Sequence, residues 1–120
     1  MPQTSPPPLS RTFQALSDPT RRTVLERLAH GPATVGTLAA EHAMSLPAFT
    51  KHIGVLVDAG LVARRKVGRS VECALRAGPL AEAHAWLDDM AAFWSGSLDR
   101  LETLLDPTPA DPSTDTLEDR

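Results

Sequence analysis

The sequence predicts a mainly α fold with one small β-hairpin, an α+β arrangement laid out as a winged helix-turn-helix. Three observations carry that prediction. Two short helical patterns enclose a tight turn between residues 34 and 59, and the second opens on Ser45-Leu46-Pro47-Ala48. Over 61–76 the apolar spacing then shortens from about 3.6 residues to about two, around a Gly68-Arg69 tip. That hairpin is basic, with Arg64, Arg65, Lys66 and Arg69. A helix suited to a DNA groove beside a basic wing is the expected result.

Each element follows from local chemistry. A first helix is expected near 10–16. A second starts with Asp18 as N-cap and Pro19 at the first helical position, and Gly31-Pro32 stops it after His30. Val24, Leu25 and Leu28 form its inward stripe. Thr34 can cap a third helix that turns Leu38 and Ala39 inward. The fourth, the recognition-helix candidate, spans 45–59. Ser45 can accept from the Ala48 amide, and Pro47 costs little where amides lack helical partners. Met44 and Phe49 are spaced for a hydrophobic staple. Phe49, Ile53, Leu56 and Val57 share one face, and Gly60 ends the helix. The wing occupies 61–76. Gly78-Pro79 then opens a long helix reaching about Leu105, with apolar residues at 83, 87, 90, 94, 98, 101 and 105. Such a helix is roughly 40 Å long, more than a small core covers.

The chain has 120 residues, enough for one core and not two. The domain is expected over 9–105, with 1–8 (four prolines, no charge) and the acidic 106–120 disordered. No apolar run approaches the roughly 18 residues that cross a membrane. The N-terminus lacks the basic and apolar regions of a signal peptide. One cysteine, Cys73, cannot form an internal disulfide, which fits a reducing cytoplasm. The net charge of -3 hides a division: 9–76 carries +5 and 77–120 carries -8. A basic half points to nucleic acid, and an acidic half to a solvated face or tail.

With Phe49, Ile53 and Leu56 inward, the residues Leu46, Pro47, Thr50, Lys51 and Gly54 face outward. The amino-terminal residues of a helix in the major groove meet base edges. Thr50 can reach a base or a phosphate, and Lys51 can neutralise a phosphate or read guanine. Leu46 and Pro47 can touch a thymine methyl or simply serve the cap. Ser45 and Ala48 complete the capped turn, whose amides favour a phosphate. His52, at the edge of that face, can donate to a phosphate or be a half-buried histidine tied to a neighbouring backbone group. On the wing, Arg64 and Lys66 fall on one face and Arg65 on the other. Arg69 can enter a narrow minor groove. In the last helix, Trp86 and Phe93 lie off the stripe and widen the apolar surface, which marks a partner interface.

The strings Ala15-Leu16-Ser17-Asp18-Pro19-Thr20-Arg21-Arg22, Leu38-Ala39, Met44-Ser45-Leu46-Pro47-Ala48, Lys51-His52-Ile53, Ala59-Gly60-Leu61-Val62 and Gly68-Arg69 resemble the ArsR family of bacterial winged-helix repressors. The resemblance covers about residues 13–105. It implies a homodimer joined by the first and last helices, on an imperfect inverted-repeat operator, with repression relieved by an effector. The interface residues it implies are Phe13, Leu16, Trp86, Met90, Phe93, Trp94, Leu98 and Leu101. The chain departs from the metal sensors of that family: their Cys-x-Cys pair falls on Thr34 and Gly36, and their last-helix cluster leaves only His84. It resembles the non-metal subgroup, so no metal and no cofactor are expected.

The leading expectation is a dimeric repressor of double-stranded DNA. The alternative is a winged helix used only to bind protein. Among repressors, an effector-free form, a sensor of an unidentified small molecule and a thiol sensor through Cys73 all remain open. An enzyme is not expected, since the sequence has no Gly-rich phosphate loop, no metal cluster and no nucleophile beside a base.

Overall fold

The computed structural model describes residues 7–105. The expected disorder of 1–8 and 106–120 lies outside them except at Pro7 and Pro8, which are the N-cap and first residue of the first helix. That helix, α1 (Pro8–Leu16), begins two residues before the expected start. A proline suits the place, because its fixed φ is already helical and its missing amide would have no helical partner. In α2 (Pro19–Leu28) Asp18 is the N-cap, its carboxylate accepting from the Arg21 amide at 3.1 Å. The helix ends at Leu28 rather than His30. Ala29 and His30 continue it as a tighter turn, the His30 and Gly31 amides donating to the Arg27 and Leu28 carbonyls three residues back, before Gly31, at φ 135, and Pro32 turn the chain away.

Ala33–Thr34 forms a two-residue strand, β1, which is too short to show any periodicity and was not expected. Thr34 then caps α3 (Val35–Ala39), its hydroxyl accepting from the Thr37 amide. After the turn, α4 (Leu46–Asp58) starts behind Ser45, whose hydroxyl accepts from the Ala48 amide at 3.3 Å. Gly60, at φ 77, lets the chain reverse into the hairpin.

The hairpin consists of β2 (Val62–Val67) and β3 (Ser70–Leu75). It joins β1 in a three-stranded antiparallel sheet of order β1-β3-β2. Val67 pairs with Ser70, so Gly68 and Arg69 alone make the turn. Gly68 has φ 61, and no other residue type has positive φ among those described. A glycine first and an ordinary residue second is the signature of a type II′ turn, whose twist matches the strands.

Phe49, Ile53 and Leu56 are fully buried, as their spacing predicted. They meet Val24, Leu38, Leu61 and Cys73 in one core, and Met44 packs on it from the turn before α4. The core therefore fixes which face of α4 points out.

The last helix, α5 (Gly78–Leu105), has 28 residues. The chain divides into two compact units, the first running through His84 and the second beginning at Ala85. Of the described residues of α5 only Ala83 is buried. Along the apolar stripe Leu87, Trp94, Leu98 and Leu101 are exposed, as are Trp86 and Phe93 off it. A helix this long presents more apolar surface than one small chain buries. Phe93 and Trp94 meet edge to face at 5.8 Å. No helix among the described residues is long and apolar enough to cross a membrane.

Candidate nucleic-acid interface

The core places Phe49, Ile53 and Leu56 on one side of α4 and leaves Ser45, Leu46, Pro47, Ala48, Thr50 and Lys51 exposed on the other. Two of these exposed residues, Leu46 and Thr50, are one turn apart and reach a cleft between α4 and the hairpin. The cleft has a volume of about 460 Å³, and its wing side is formed by Arg64, Arg69, Ser70 and Val71. The strand register explains why Arg64 is there. It pairs with Cys73, which is buried, so its side of the sheet is the core side. The same side carries Lys66, paired with Val71. Beyond the edge of the core this face of the hairpin continues, exposed, with Arg64 and Lys66.

Arg65 lies on the opposite face, as the alternation predicted, but its charge is already matched. It donates to Glu72, its cross-strand neighbour, at 3.0 Å. Lys51, Arg64, Lys66 and Arg69 have no ion pair among the described residues. Four unmatched cations on and beside one exposed helix face make a local positive field that a chain of net charge -3 does not suggest.

Two further arginines of the basic half have a structural task. Arg21 donates through Nε to the Ala15 carbonyl at 2.8 Å and through a terminal nitrogen to the Gln14 carbonyl at 3.1 Å. Arg22 donates to the Leu16 carbonyl at 2.7 Å. Together they bring charged donors to the carbonyls at the end of α1, of which that of Gln14 also accepts from the Ser17 amide and hydroxyl, and positive charge there suits the helix dipole. These two guanidiniums explain the Asp18-Pro19-Thr20-Arg21-Arg22 string as a helix-to-helix joint.

His52 belongs to that joint. It is half-buried, and its Nδ1 accepts from the other terminal nitrogen of Arg21 at 3.0 Å, since a guanidinium can only donate. Asp18 Oδ2 lies 3.8 Å from the same Nδ1. The histidine is thus tied inward, to a side chain rather than to backbone, and links α4 to the α1–α2 corner. Burial raises the Asp18 carboxyl pKa. The Arg21 amide, His52, the Thr20 amide and the Arg21 charge outweigh that and hold it below its ordinary value.

Cys73 is buried at the centre of the sheet. Burial pushes its thiol pKa up, nearby Arg64 opposes the rise and Glu72 adds to it, and the outcome is a thiol above its ordinary value. Reactivity needs an accessible thiolate. Iodoacetamide at pH 8 is therefore expected to label the native chain at least ~10-fold more slowly than the urea-unfolded chain. Equal rates, read by mass spectrometry, would show that Cys73 is open. Among the described residues no three His, Cys, Asp or Glu side chains come together as a metal-binding group.

Sequence reasoning missed the second wall of the cleft. Val71 and Ser70 of β3 line it, as do Thr34 and Val35. Only the register could have found them, since Val71 is apolar and β1 has two residues.

Comparison with known proteins agrees with this arrangement. Residues 16–65, which hold α2 through the start of the wing, match a helix-turn-helix domain family. The chain is 42% identical over 96 residues to the HTH-type transcriptional regulator Rv2034 of Mycobacterium tuberculosis, covering 80% of this chain and 87% of that protein. It is 29% identical over 79 residues to the transcriptional repressor SdpR of Bacillus subtilis, covering 66% and 88%. A crystal structure of an ArsR family transcriptional regulator, RHA00566, superimposes with a TM-score of 0.70 at 46% identity, over 74% of this chain and 98% of that one. With the capped α4, the basic hairpin beside it and relatives matched over nearly their whole length, this chain belongs to the ArsR family of winged helix-turn-helix transcriptional regulators.

Proposed function

We propose that this chain is a DNA-binding transcriptional repressor that acts in the cytoplasm as a homodimer on an inverted-repeat operator, each protomer using α4 and the β2–β3 wing. The observation that carries this reading is the cleft in which the unmatched Arg64 and Arg69 face Leu46 and Thr50 at the exposed start of α4. A helix whose first turn is open, beside cations of the wing, suits a major groove with its flanking phosphates. The similarity to a named repressor, SdpR, supports the direction of control. The exposed apolar face of α5, with Trp86, Phe93, Trp94, Leu98 and Leu101, supports the dimer; Met90, half-buried, lies among them. Phe13 and Leu16 of α1 are half-buried, and Leu16 packs on the core of its own protomer. The burial of Cys73 argues against a thiol switch.

The test is affinity of alanine variants for operator and random duplexes across a salt series. Arg64→Ala and Arg69→Ala should weaken both duplexes and lower the salt slope by about one unit per lost phosphate contact per subunit. If Arg69 enters a narrow minor groove, its loss should be larger at A·T-rich flanks. Thr50→Ala and Lys51→Ala should erode the preference for operator, by roughly 1–3 kcal/mol for each base contact. Arg65→Ala should change least on the wing, because Glu72 already holds its charge. If all these variants bind both duplexes like the parent, the DNA function is wrong.

A further inference from the structure

Leu46 has no structural task that explains it. It is the first residue of α4, it is 57% exposed, and it is absent from the core that Phe49, Ile53 and Leu56 build. A helix start needs only the Ser45 cap, and any good helix former would serve at its first position. Across the cleft stands Val71 of β3, also exposed, on the face of the sheet that carries Arg64 and Lys66. Val35 of α3 lies behind them. The result is a small apolar floor ringed by unmatched cations and the Thr50 and Ser70 hydroxyls.

A floor of this kind needs a ligand that is strongly anionic yet carries a small apolar protrusion. A protein partner is a poor fit, since interface cores are larger and depleted of charge. Duplex DNA fits both requirements. Its phosphates answer the cations, and among its base edges only thymine places a methyl group in the major groove. The first turn of a recognition helix is where base edges are met.

We infer that Leu46, with Val71 facing it, is a specificity-determining residue that receives the 5-methyl group of a thymine in each operator half-site. This deepens the DNA-binding reading and rests on it. Leu46 supplies contact rather than hydrogen bonds, so it distinguishes the methyl and not the pairing edge of the base. Thr50, one turn further along the same face, is placed to act on the neighbouring base or phosphate. Replacing Leu46 by a smaller residue should then relax the choice of base at one position per half-site while leaving the electrostatic, sequence-independent binding intact.

Deoxyuridine gives a clean test, because it pairs as thymine does and lacks only the methyl. Duplexes bound by the full chain are enriched from a random pool, and each thymine of the winner is replaced singly by deoxyuridine. One thymine per half-site should lose about fourfold in affinity, and both together about sixteenfold. Leu46→Ala, which folds because the residue lies outside the core, should bind the thymine and deoxyuridine duplexes equally. Its salt slope should match the parent's, unlike that of Arg69→Ala. If no thymine responds, or if Leu46→Ala still separates the two duplexes, the methyl-receptor role is wrong while DNA binding stands. If the pool yields no bound duplex, the DNA reading and this one fall together.

Discussion

Replacing Leu98 and Leu101 by glutamate is expected to turn the chain into a monomer and to cut its affinity for an inverted-repeat duplex by about 100-fold or more. The two leucines are 55% and 47% exposed, one turn apart on α5, on the stripe that also carries Leu87 and Trp94. Burying a leucine contributes about 2 kcal/mol, and roughly half of each is still in water. Four such side chains in a symmetric pair then amount to about 4 kcal/mol, or about three orders of magnitude in the dimer constant. Adding four carboxylates to that contact opposes association further. DNA affinity falls because a dimer joins two half-sites and a monomer holds one at a time. Light scattering at micromolar concentration checks the first outcome and a gel shift the second, with far-UV circular dichroism confirming that the domain is still helical. A parent chain that scatters as a stable monomer would sink the dimer.

How much of this was legible beforehand depended on whether a residue's partner is near in sequence. The caps at Asp18, Thr34 and Ser45 and the stops at Gly60 and Gly68 are local, and each was readable from a few residues. The inward face of α4 followed from spacing alone. The long-range pairings were hidden. Strand β1 has no pattern of its own and exists because Ala33 and Thr34 meet Cys73 and Glu72, some 40 positions on. Arg65 counts among the groove cations in the sequence, and its pairing with Glu72 appears only with the strand register. Arg21 and Arg22 counted toward a basic half, yet their charge goes to the carbonyls of α1. His52 is readable as outward or tied, and its contact with Arg21 depends on the approach of α2 to α4, which the sequence does not show. Charge read along a sequence thus overstates a nucleic-acid face, because it cannot subtract cations that fold back on the chain. Arg11 and Arg76 also lack an ion pair among the described residues, but on α4 and the β2–β3 hairpin the cations left over are Lys51, Arg64, Lys66 and Arg69.

Arg21→Ala should destabilise the domain by roughly 2–4 kcal/mol, although the residue touches no proposed DNA contact. The side chain joins three elements through one guanidinium: the Ala15 and Gln14 carbonyls of α1, and His52 of α4. Its removal leaves the part-buried Ala15 carbonyl and one half-buried imidazole nitrogen without their charged donor, which costs more than losing an exposed bond, while the Gln14 carbonyl keeps its bonds from Ser17. Lysine should not rescue it, since one ammonium cannot reach three acceptors in a planar fork. Asp18 gives the joint a pH dependence. Its carboxyl titrates lower in the folded chain than in the unfolded one. The stability it contributes is therefore complete above the ordinary carboxylate range and is lost as pH falls through the lowered value. Urea unfolding of the parent, Arg21→Ala and Asp18→Asn at neutral pH and near pH 3 checks both statements. The parent should lose more stability between the two pH values than Asp18→Asn does, and Arg21→Ala should be the weakest at neutral pH. Because α4 is held to the α1–α2 corner through His52, DNA affinity should fall in Arg21→Ala with the salt slope unchanged. A reduced slope would place Arg21 on the phosphates instead, and an unchanged urea midpoint would remove it from the joint.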